Sequence, residues 1–264
     1  MTGVQTCALP ISINGTKNVL GSVKRSGTVK RFVYTSSFAA IGHPAKSGYV
    51  FTEDDWASDN REKDKNWNTD NLIDKGEIAY AMAKVECEHI VNQFAEQDGS
   101  FDAISVCPIV VLGPLLSTVH ELVGSWQWAL GRTLRGKHNI RGWQALWHCV
   151  DVRDVAEAQA LIIESDTCKP GSRYQLCATN DTGELTAKQL QTHLQALFPH
   201  IDVGGPPPEY DAMIEKHGQP FDAPRAHCDK VHEELGLETR DIEDTLRTTG
   251  ETMIELGLVK PKLI

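Results

Sequence analysis

Apolar residues recur along the chain with two different periods, and the two kinds of segment alternate. Where they recur every three or four residues, as Val19, Leu20 and Val23 do, they predict one face of a helix. Short runs rich in β-branched and aromatic residues predict strands. Helices are predicted at 14–24, 74–97, 154–164, 186–198, 228–235 and 241–256, and strands at 31–37, 101–107, 148–152 and 173–177. This alternation indicates an α/β fold with a mostly parallel sheet.

Three internal stretches have neither period. Residues 42–72 are rich in Gly, Pro, Asp and Asn and predict a long loop, which inside a domain is usually functional or disordered. Residues 204–208 predict a turn or linker. Residues 115–147 are mixed, and their tryptophans are expected to pack in the interior. These tryptophans are Trp126, Trp128, Trp143 and Trp147.

The first dozen residues do not follow the pattern of the remaining chain. Residues 3–11 have no helical or strand period, and they resemble the translation of a common sequencing adaptor. We therefore expect residues 1–12 to be a non-native tail, with a natural flexible tail as the alternative, and exclude them from reasoning about the fold.

Composition narrows the classes of protein. With 41% hydrophobic and 23% charged residues among 264, the chain can bury a sizeable core. A net charge of −10 argues against nucleic acid and anionic membranes as partners, and no run is long enough to predict a membrane span. Seven cysteines without a C-x-x-C spacing argue against a disulfide framework or a zinc site and favour the reducing cytoplasm. No metal site is expected, and His148 is interpreted as a strand histidine.

Two polar residues extend the apolar stripe of the helix predicted at 74–97. Cys87, Val91 and Phe94 recur at helical spacing, and the same stripe continued backwards reaches Lys84 and Tyr80. A lysine on a core-facing side is costly unless it has a partner or a chemical role. The alternative is that Lys84 extends past the rim of the core into water, and so short a motif also arises by chance.

The neighbouring strand ends give this pair a context. One predicted strand ends in Thr35-Ser36-Ser37 and another in Cys107-Pro108. In a parallel α/β sheet, ligands bind outside the carboxyl ends of the strands. A phenol beside an ammonium group is suited to proton transfer near neutral pH, because the cation stabilises the phenolate.

Five segments in this order carry a family resemblance. They are Ile13-Asn-Gly-Thr-Lys-Asn-Val-Leu20, Lys30-Arg-Phe-Val-Tyr-Thr-Ser-Ser37, Tyr80-Ala-Met-Ala-Lys84, Pro108-Ile-Val-Val-Leu-Gly-Pro114 and Val150-Asp-Val-Arg-Asp-Val-Ala156. Over about residues 13–258 the chain resembles the extended short-chain dehydrogenase/reductases of the NAD-dependent epimerase/dehydratase superfamily. Within them it is most similar to the dihydroflavonol-reductase-like and ketoreductase-like branch. The resemblance implies a Rossmann-like parallel sheet with a small C-terminal substrate domain.

The resemblance also implies roles for individual residues. Ser37 would orient the oxygen of a small carbonyl or alcohol substrate, Tyr80 would give or take the proton, and Lys84 would hold the nicotinamide ribose and favour the phenolate. Hydride would pass between substrate and NADP or NAD, with NADP favoured by the branch. The implied cofactor-binding residues are Thr35, Ser36, Tyr80, Lys84, Pro108, Ile109, Val110 and Val111.

One feature of the family is absent upstream of Ser37, namely the Gly-rich turn that cradles the dinucleotide phosphates. We therefore expect an N-terminally truncated, inactive fragment. Residues 13–165 would be the remnant of the dinucleotide-binding domain, with 115–147 covering the substrate. Residues 166–264 would form mainly the substrate domain, with the strand at 173–177 returning to the sheet.

Two other functions stay open at this point. A nucleotide-sugar epimerase or dehydratase would use the same serine, tyrosine and lysine, and a non-catalytic dinucleotide-sensing protein is the third possibility. The Val150–Ala156 and Ile13–Leu20 segments favour the reductase. The sequence leaves the substrate and the oligomeric state open.

Overall fold

The computed structural model describes residues 3–42, 49–57, 72–120, 125–138, 147–178, 184–217 and 226–264. Within these ranges the helices are α1 Gly3–Ser26, α2 Leu72–Asp98, α3 Trp126–Leu134, α4 Val152–Glu164, α5 Ala187–Leu197, α6 Tyr210–His217, α7 Asp229–Leu235 and α8 Ile242–Glu255. The strands are β1 Arg31–Thr35, β2 Asp102–Pro108, β3 Val110–Leu112, β4 Trp147–Asp151, β5 Arg173–Leu176 and β6 Glu184–Leu185. The predicted α/β fold with parallel strands is confirmed.

The first sheet has the order β1-β2-β5, and all three strands are parallel. Their carboxyl ends therefore meet at one edge, where Thr35 lies opposite Val106 and Pro108 lies opposite Leu176. This edge is where a parallel α/β sheet binds its ligands.

Helices cover both faces of the first sheet, because alternate strand residues point to opposite sides. On one face Ala103 packs with Leu20 of α1 and Val91 of α2. On the other face Ile104 packs with Ile162 of α4. Buried parallel strands of this kind are rich in β-branched and apolar residues on both faces.

The second sheet continues the first through a one-residue connection. β2 ends at Pro108, and β3 begins at Val110 and pairs in parallel with β4, whose other side pairs antiparallel with β6. A separate hydrophobic cluster, centred on the fully buried Trp147, joins this sheet to α3, α5 and α8. Trp126 meets Trp147 edge to face at 4.7 Å between ring centroids, in agreement with the interior packing expected for these two residues. Trp143 lies outside the described residues.

Apart from small shifts of their ends, the predicted helices and strands differ from the structure in two respects. α1 begins at Gly3 rather than at the predicted residue 14, so it includes residues 3–11, which have no helical period. Pro10 lies inside this helix, where it lacks an N–H to donate to the preceding turn and its ring crowds that turn. The elements α3, α6, β3 and β6 were not predicted from the sequence. Of the predicted loop at 42–72, residues 43–48 and 58–71 lie outside the described residues.

In the described part of the chain, every helix is too short or too polar to cross a bilayer.

Candidate active site

The site is centred on the end of β1, where the chain leaves the sheet. Ser37 follows the strand and caps a short 3-10 turn, Phe38–Ala40, by accepting a hydrogen bond from the Ala39 N–H at 3.2 Å. Thr35, the last strand residue, is exposed, and its hydroxyl oxygen accepts a hydrogen bond from the Gln159 amide at 2.7 Å. A hydroxyl that accepts a bond keeps its own hydrogen for donation, so Ser37 can still donate to a ligand.

Lys84 connects α2 to the same strand end. Its ammonium group donates a hydrogen bond to the Thr35 carbonyl at 3.0 Å, and Nζ lies 5.8 Å from the centroid of the Tyr80 ring. The side chain therefore has the partner that its position on the helix requires. Because an ammonium group has three donors, Lys84 retains donors for a further ligand.

Tyr80 lies one turn before Lys84, where the buried stripe of α2 reaches the surface. It is 48% exposed, whereas Cys87 and Val91 farther along the helix are buried. The phenol is therefore accessible to a ligand while its ring stays beside the ammonium group of Lys84.

Packing between α2 and the turn after β1 brings Ser37 to this helix. Ala40, at the end of the 3-10 turn, is buried in one cluster with Ala81 and Val85, which flank Tyr80 and Lys84 in the sequence. The small side chains allow close approach of the two backbones. The carboxyl end of β1, Tyr80 and Lys84 are thereby brought together.

Residues 108–111 lie at the carboxyl end of the neighbouring strand. Pro108 ends β2, and the Ile109 N–H donates a hydrogen bond to the Leu176 carbonyl of β5. Ile109 and Val111 are half-buried and pack with the same hydrophobic cluster as Phe38, the residue that follows Ser37. The Val111 carbonyl accepts a hydrogen bond from the Gln127 amide at 2.9 Å, which joins this segment to α3.

Ser36 occupies a different environment from its neighbours. It is buried, its N–H donates to the Val106 carbonyl at 2.8 Å, and its hydroxyl donates to Glu88 Oε1 at 2.5 Å. The Ser36 hydroxyl is therefore committed to the protein interior, unlike that of Ser37.

Sequence analysis missed Glu88 and its partner Arg173. Glu88 is fully buried on α2, and its Oε2 accepts a hydrogen bond from Arg173 Nε of β5 at 2.7 Å. The available signal was a charged residue one helical turn after Lys84, within a stripe that is otherwise apolar.

The segment around Asp151 joins β4, α4 and α8. Asp151 caps α4 and forms an ion pair with Arg153, which also pairs with Asp244 of α8. Burial opposes ionisation of Asp151, but the hydrogen bonds and charge of Arg153 hold its pKa below the usual range. Asp151 thus acts within the described structure as a helix cap and an ion-pair partner.

Comparisons with known proteins identify the family. Residues 8–177 match the NAD dependent epimerase/dehydratase family. The chain belongs to this family. An oxidoreductase of Schizosaccharomyces pombe is 33% identical over 94% of this chain and 70% of its own length. A ketoreductase of Aspergillus niger, azaE, is 27% identical over 96% of the chain and 71% of its own length.

Solved structures with a similar fold include several reductases. Gre2 of Candida albicans, solved in complex with NADPH, superposes with a TM-score of 0.70 at 23% sequence identity. The match covers 93% of this chain and 70% of that one. The predicted membership of the extended short-chain dehydrogenase/reductases and the Rossmann-like fold are confirmed.

The residues at the carboxyl edge of the sheet fit the nicotinamide half of the family's cofactor. The phenol of Tyr80 and the ammonium of Lys84 can donate to ribose hydroxyls, and Ile109 and Val111, after the neighbouring strand β2, offer half-buried apolar side chains. In the described part of the chain, no three His, Cys, Asp or Glu side chains are grouped as a metal site requires.

Proposed function

We propose that the protein is an NAD(P)-dependent oxidoreductase that reduces a ketone or aldehyde, or oxidises the corresponding alcohol, with Ser37, Tyr80 and Lys84. The observation that carries the proposal is the position of Lys84, whose ammonium binds the last carbonyl of β1 while lying 5.8 Å from the Tyr80 ring centroid. A cation in this position stabilises the phenolate that remains after Tyr80 has given its proton.

In reduction, the bound dinucleotide would supply a hydride to the carbonyl carbon of the substrate. Tyr80 would donate its phenolic proton to the carbonyl oxygen, which becomes the hydroxyl of the product alcohol. Ser37 would donate a hydrogen bond to the same oxygen and hold it in place. Lys84 would orient the ribose and stabilise the phenolate until Tyr80 takes a proton from solvent.

The partners follow from the same proposal. The substrate is a small molecule with a carbonyl or alcohol group, and the cofactor is NADP or NAD. NADP is favoured because the structurally similar Gre2 of Candida albicans binds NADPH. Residues 108–111 would flank the nicotinamide, and the cytoplasm is the proposed location.

The test is Tyr80→Phe in the whole protein, assayed for NADPH-dependent reduction of aldehydes and ketones. We expect kcat to fall by about 10²–10⁴-fold, the usual contribution of general acid–base catalysis, while the affinity for NADPH changes little, because Lys84 remains to bind the ribose. Tyr210→Phe is the control, because Tyr210 of α6 lines a pocket with Thr186 and His193 and is not among the residues proposed for catalysis.

Two results would contradict the proposal. One is an unchanged kcat in Tyr80→Phe. The other is interconversion of nucleotide sugars without net oxidation of the cofactor, which would assign the protein to the epimerases.

A further inference from the structure

Glu88 lies on α2 four residues after Lys84, about one helical turn away, and both side chains bind residues at the end of β1. Lys84 donates a hydrogen bond to the Thr35 carbonyl, and Glu88 accepts one from the Ser36 hydroxyl at 2.5 Å. Two side chains four residues apart on a helix therefore hold two consecutive residues of the strand end. This two-point attachment fixes both the distance and the rotation of α2 relative to the residues that precede Ser37.

The carboxylate of Glu88 is fully buried, so it requires compensation. Arg173 supplies the opposite charge through Nε at 2.7 Å from Oε2 and through Nη2 at 3.2 Å from Oε1. A buried ion pair is weak evidence for stability, because apolar residues of similar size often serve as well. The hydrogen bonds that Glu88 and Arg173 make to other groups therefore matter more for positioning than their mutual charge attraction does.

Arg173 extends the network to the segment at 49–57. Its Nη1 donates to the carbonyls of Glu53 and Asp55, each at 2.7 Å, and its guanidinium lies 3.8 Å from the Trp56 ring centroid. Gln175, two residues later on the same face of β5, donates to the Phe51 carbonyl at 3.0 Å. The segment is thereby tied to the sheet mainly through its own backbone.

The same segment returns to Ser37 through aromatic packing. Phe51 is fully buried and meets Phe38 edge to face at 5.9 Å between ring centroids. Phe38 directly follows Ser37 in the 3-10 turn that Ser37 caps. A closed path therefore runs from Ser36 through Glu88 and Arg173 to the Glu53 carbonyl, along the chain to Phe51, and through its ring contact to the residue after Ser37.

We propose that Glu88 and Arg173 are positioning residues for the reaction, acting through Ser36 and Phe51 to hold Ser37 in place opposite Tyr80. The inference rests on the proposed function. Neither residue needs to touch the substrate, because the network reaches Ser37 from both sides along the chain. Lys84 would be shared with the ribose during the reaction, and Glu88 would then keep the strand end attached to α2.

The variant that isolates this role is Ser36→Ala, which removes the hydroxyl held by Glu88 and little else. Its matched control is Ser105→Ala on the neighbouring strand β2. Ser105 is equally buried, and its hydroxyl has no hydrogen-bond partner within the described residues. Both variants delete one buried serine hydroxyl, but only Ser36→Ala removes a hydrogen bond to Glu88.

We expect Ser36→Ala to lower kcat by at least about tenfold, since a misplacement of about 1 Å can cost about 10²-fold, with KM and NADPH affinity unchanged. Ser105→Ala should keep the kcat of the parent. Equal kcat in the two variants would overturn the inference. A loss of NADPH affinity confined to Ser36→Ala would also overturn it, because Ser36 would then contact the cofactor directly.

Hydrogen–deuterium exchange provides a second measurement that does not depend on activity. In Ser36→Ala and in Glu88→Gln, amides at 36–42 and 49–57 should exchange faster than in the parent and in Ser105→Ala. Unchanged exchange there would overturn the network. Absence of reductase activity in the unsubstituted whole protein would contradict the proposed function instead, and the exchange result alone would then decide whether the network holds these segments.

Discussion

Burial of single ionisable residues gives the protein a measurable dependence on pH. His148 of β4 is only 8% exposed, and its burial, assisted by the charge of His227, lowers its pKa to about 4 from an ordinary 6.5. The unfolded chain therefore binds more protons than the folded one between these two pH values. The resulting stability is fully present above pH 6.5 and is lost as the pH falls towards 4.

We expect His148→Gln to reduce the loss of unfolding free energy between pH 6.5 and pH 5. The difference in slope from the parent is at most about 1.4 kcal/mol per pH unit for one proton. Urea unfolding at a series of pH values measures both slopes. His120→Gln is the control, because His120 is exposed and should leave the slope as it is in the parent. Parallel curves for the parent and His148→Gln would contradict this assignment.

Some residues of the candidate site could be predicted from the sequence, and others could not. Tyr80 and Lys84 stand out because they interrupt an apolar stripe that continues to Cys87 and Val91. Glu88 stands out less, since opposite charges four residues apart on a helix also form exposed ion pairs. Its real partner, Arg173, lies 85 residues away, and no local period reports so distant a contact.

At the scale of elements, α8 packs its apolar face against the core and also accepts hydrogen bonds from the backbone that follows β3. The Thr249 hydroxyl oxygen accepts a hydrogen bond from the Gly113 N–H at 2.7 Å, and Thr252 accepts one from the Leu115 N–H at 2.9 Å. Both donors lie just after β3, at the end of the segment that begins with Pro108. A C-terminal helix thereby holds the backbone beyond the carboxyl edge of the sheet.

We expect Thr249→Val to lower the unfolding free energy by about 1–3 kcal/mol, because it leaves the buried Gly113 N–H without its acceptor. Thr192→Val on α5 is the control, since Thr192 is exposed and its hydroxyl bonds only to the Lys188 carbonyl of its own helix. We expect that change to stay within about 0.5 kcal/mol. Equal losses in the two variants, measured by urea unfolding, would refute the role of Thr249.

Long periodic elements were predictable from the sequence, and short ones were not. α2 and the strands β1, β2 and β5 follow clear apolar patterns, and their observed ends lie within two residues of the predicted ones. β6 consists of Glu184–Leu185 only, which is too short to display a period. α3 begins after a cap at Ser125 and carries two tryptophans in its first turn, so its composition does not distinguish it from the surrounding mixed segment.

At the scale of the whole molecule, the chain carries candidate residues for the nicotinamide half of a dinucleotide but lacks the usual sequence motif for its pyrophosphate. In the proposed function, Tyr80, Lys84 and residues 108–111 would contact the nicotinamide and its ribose. Neither G-x-x-G-x-x-G nor G-x-G-x-x-G occurs anywhere in the 264 residues. Backbone N–H groups of such a turn, at the start of a helix, are what usually bind the pyrophosphate.

We therefore expect the chain of 264 residues by itself to bind NADH and NADPH weakly, with little discrimination between them. Calorimetric titration with each reduced cofactor measures both affinities. Micromolar binding of either one would refute this expectation, because other backbone groups would then have to cradle the phosphates.

The attachment of the 49–57 segment has a consequence for how this protein can diversify. Arg173 and Gln175 donate hydrogen bonds to backbone carbonyl oxygens, which every amino acid possesses. These bonds therefore do not depend on the identity of most side chains in the segment. Val50 and Asp54 are exposed beside the anchored positions. Selection, natural or in a randomised library, could therefore vary these side chains freely while the backbone beneath them keeps its course.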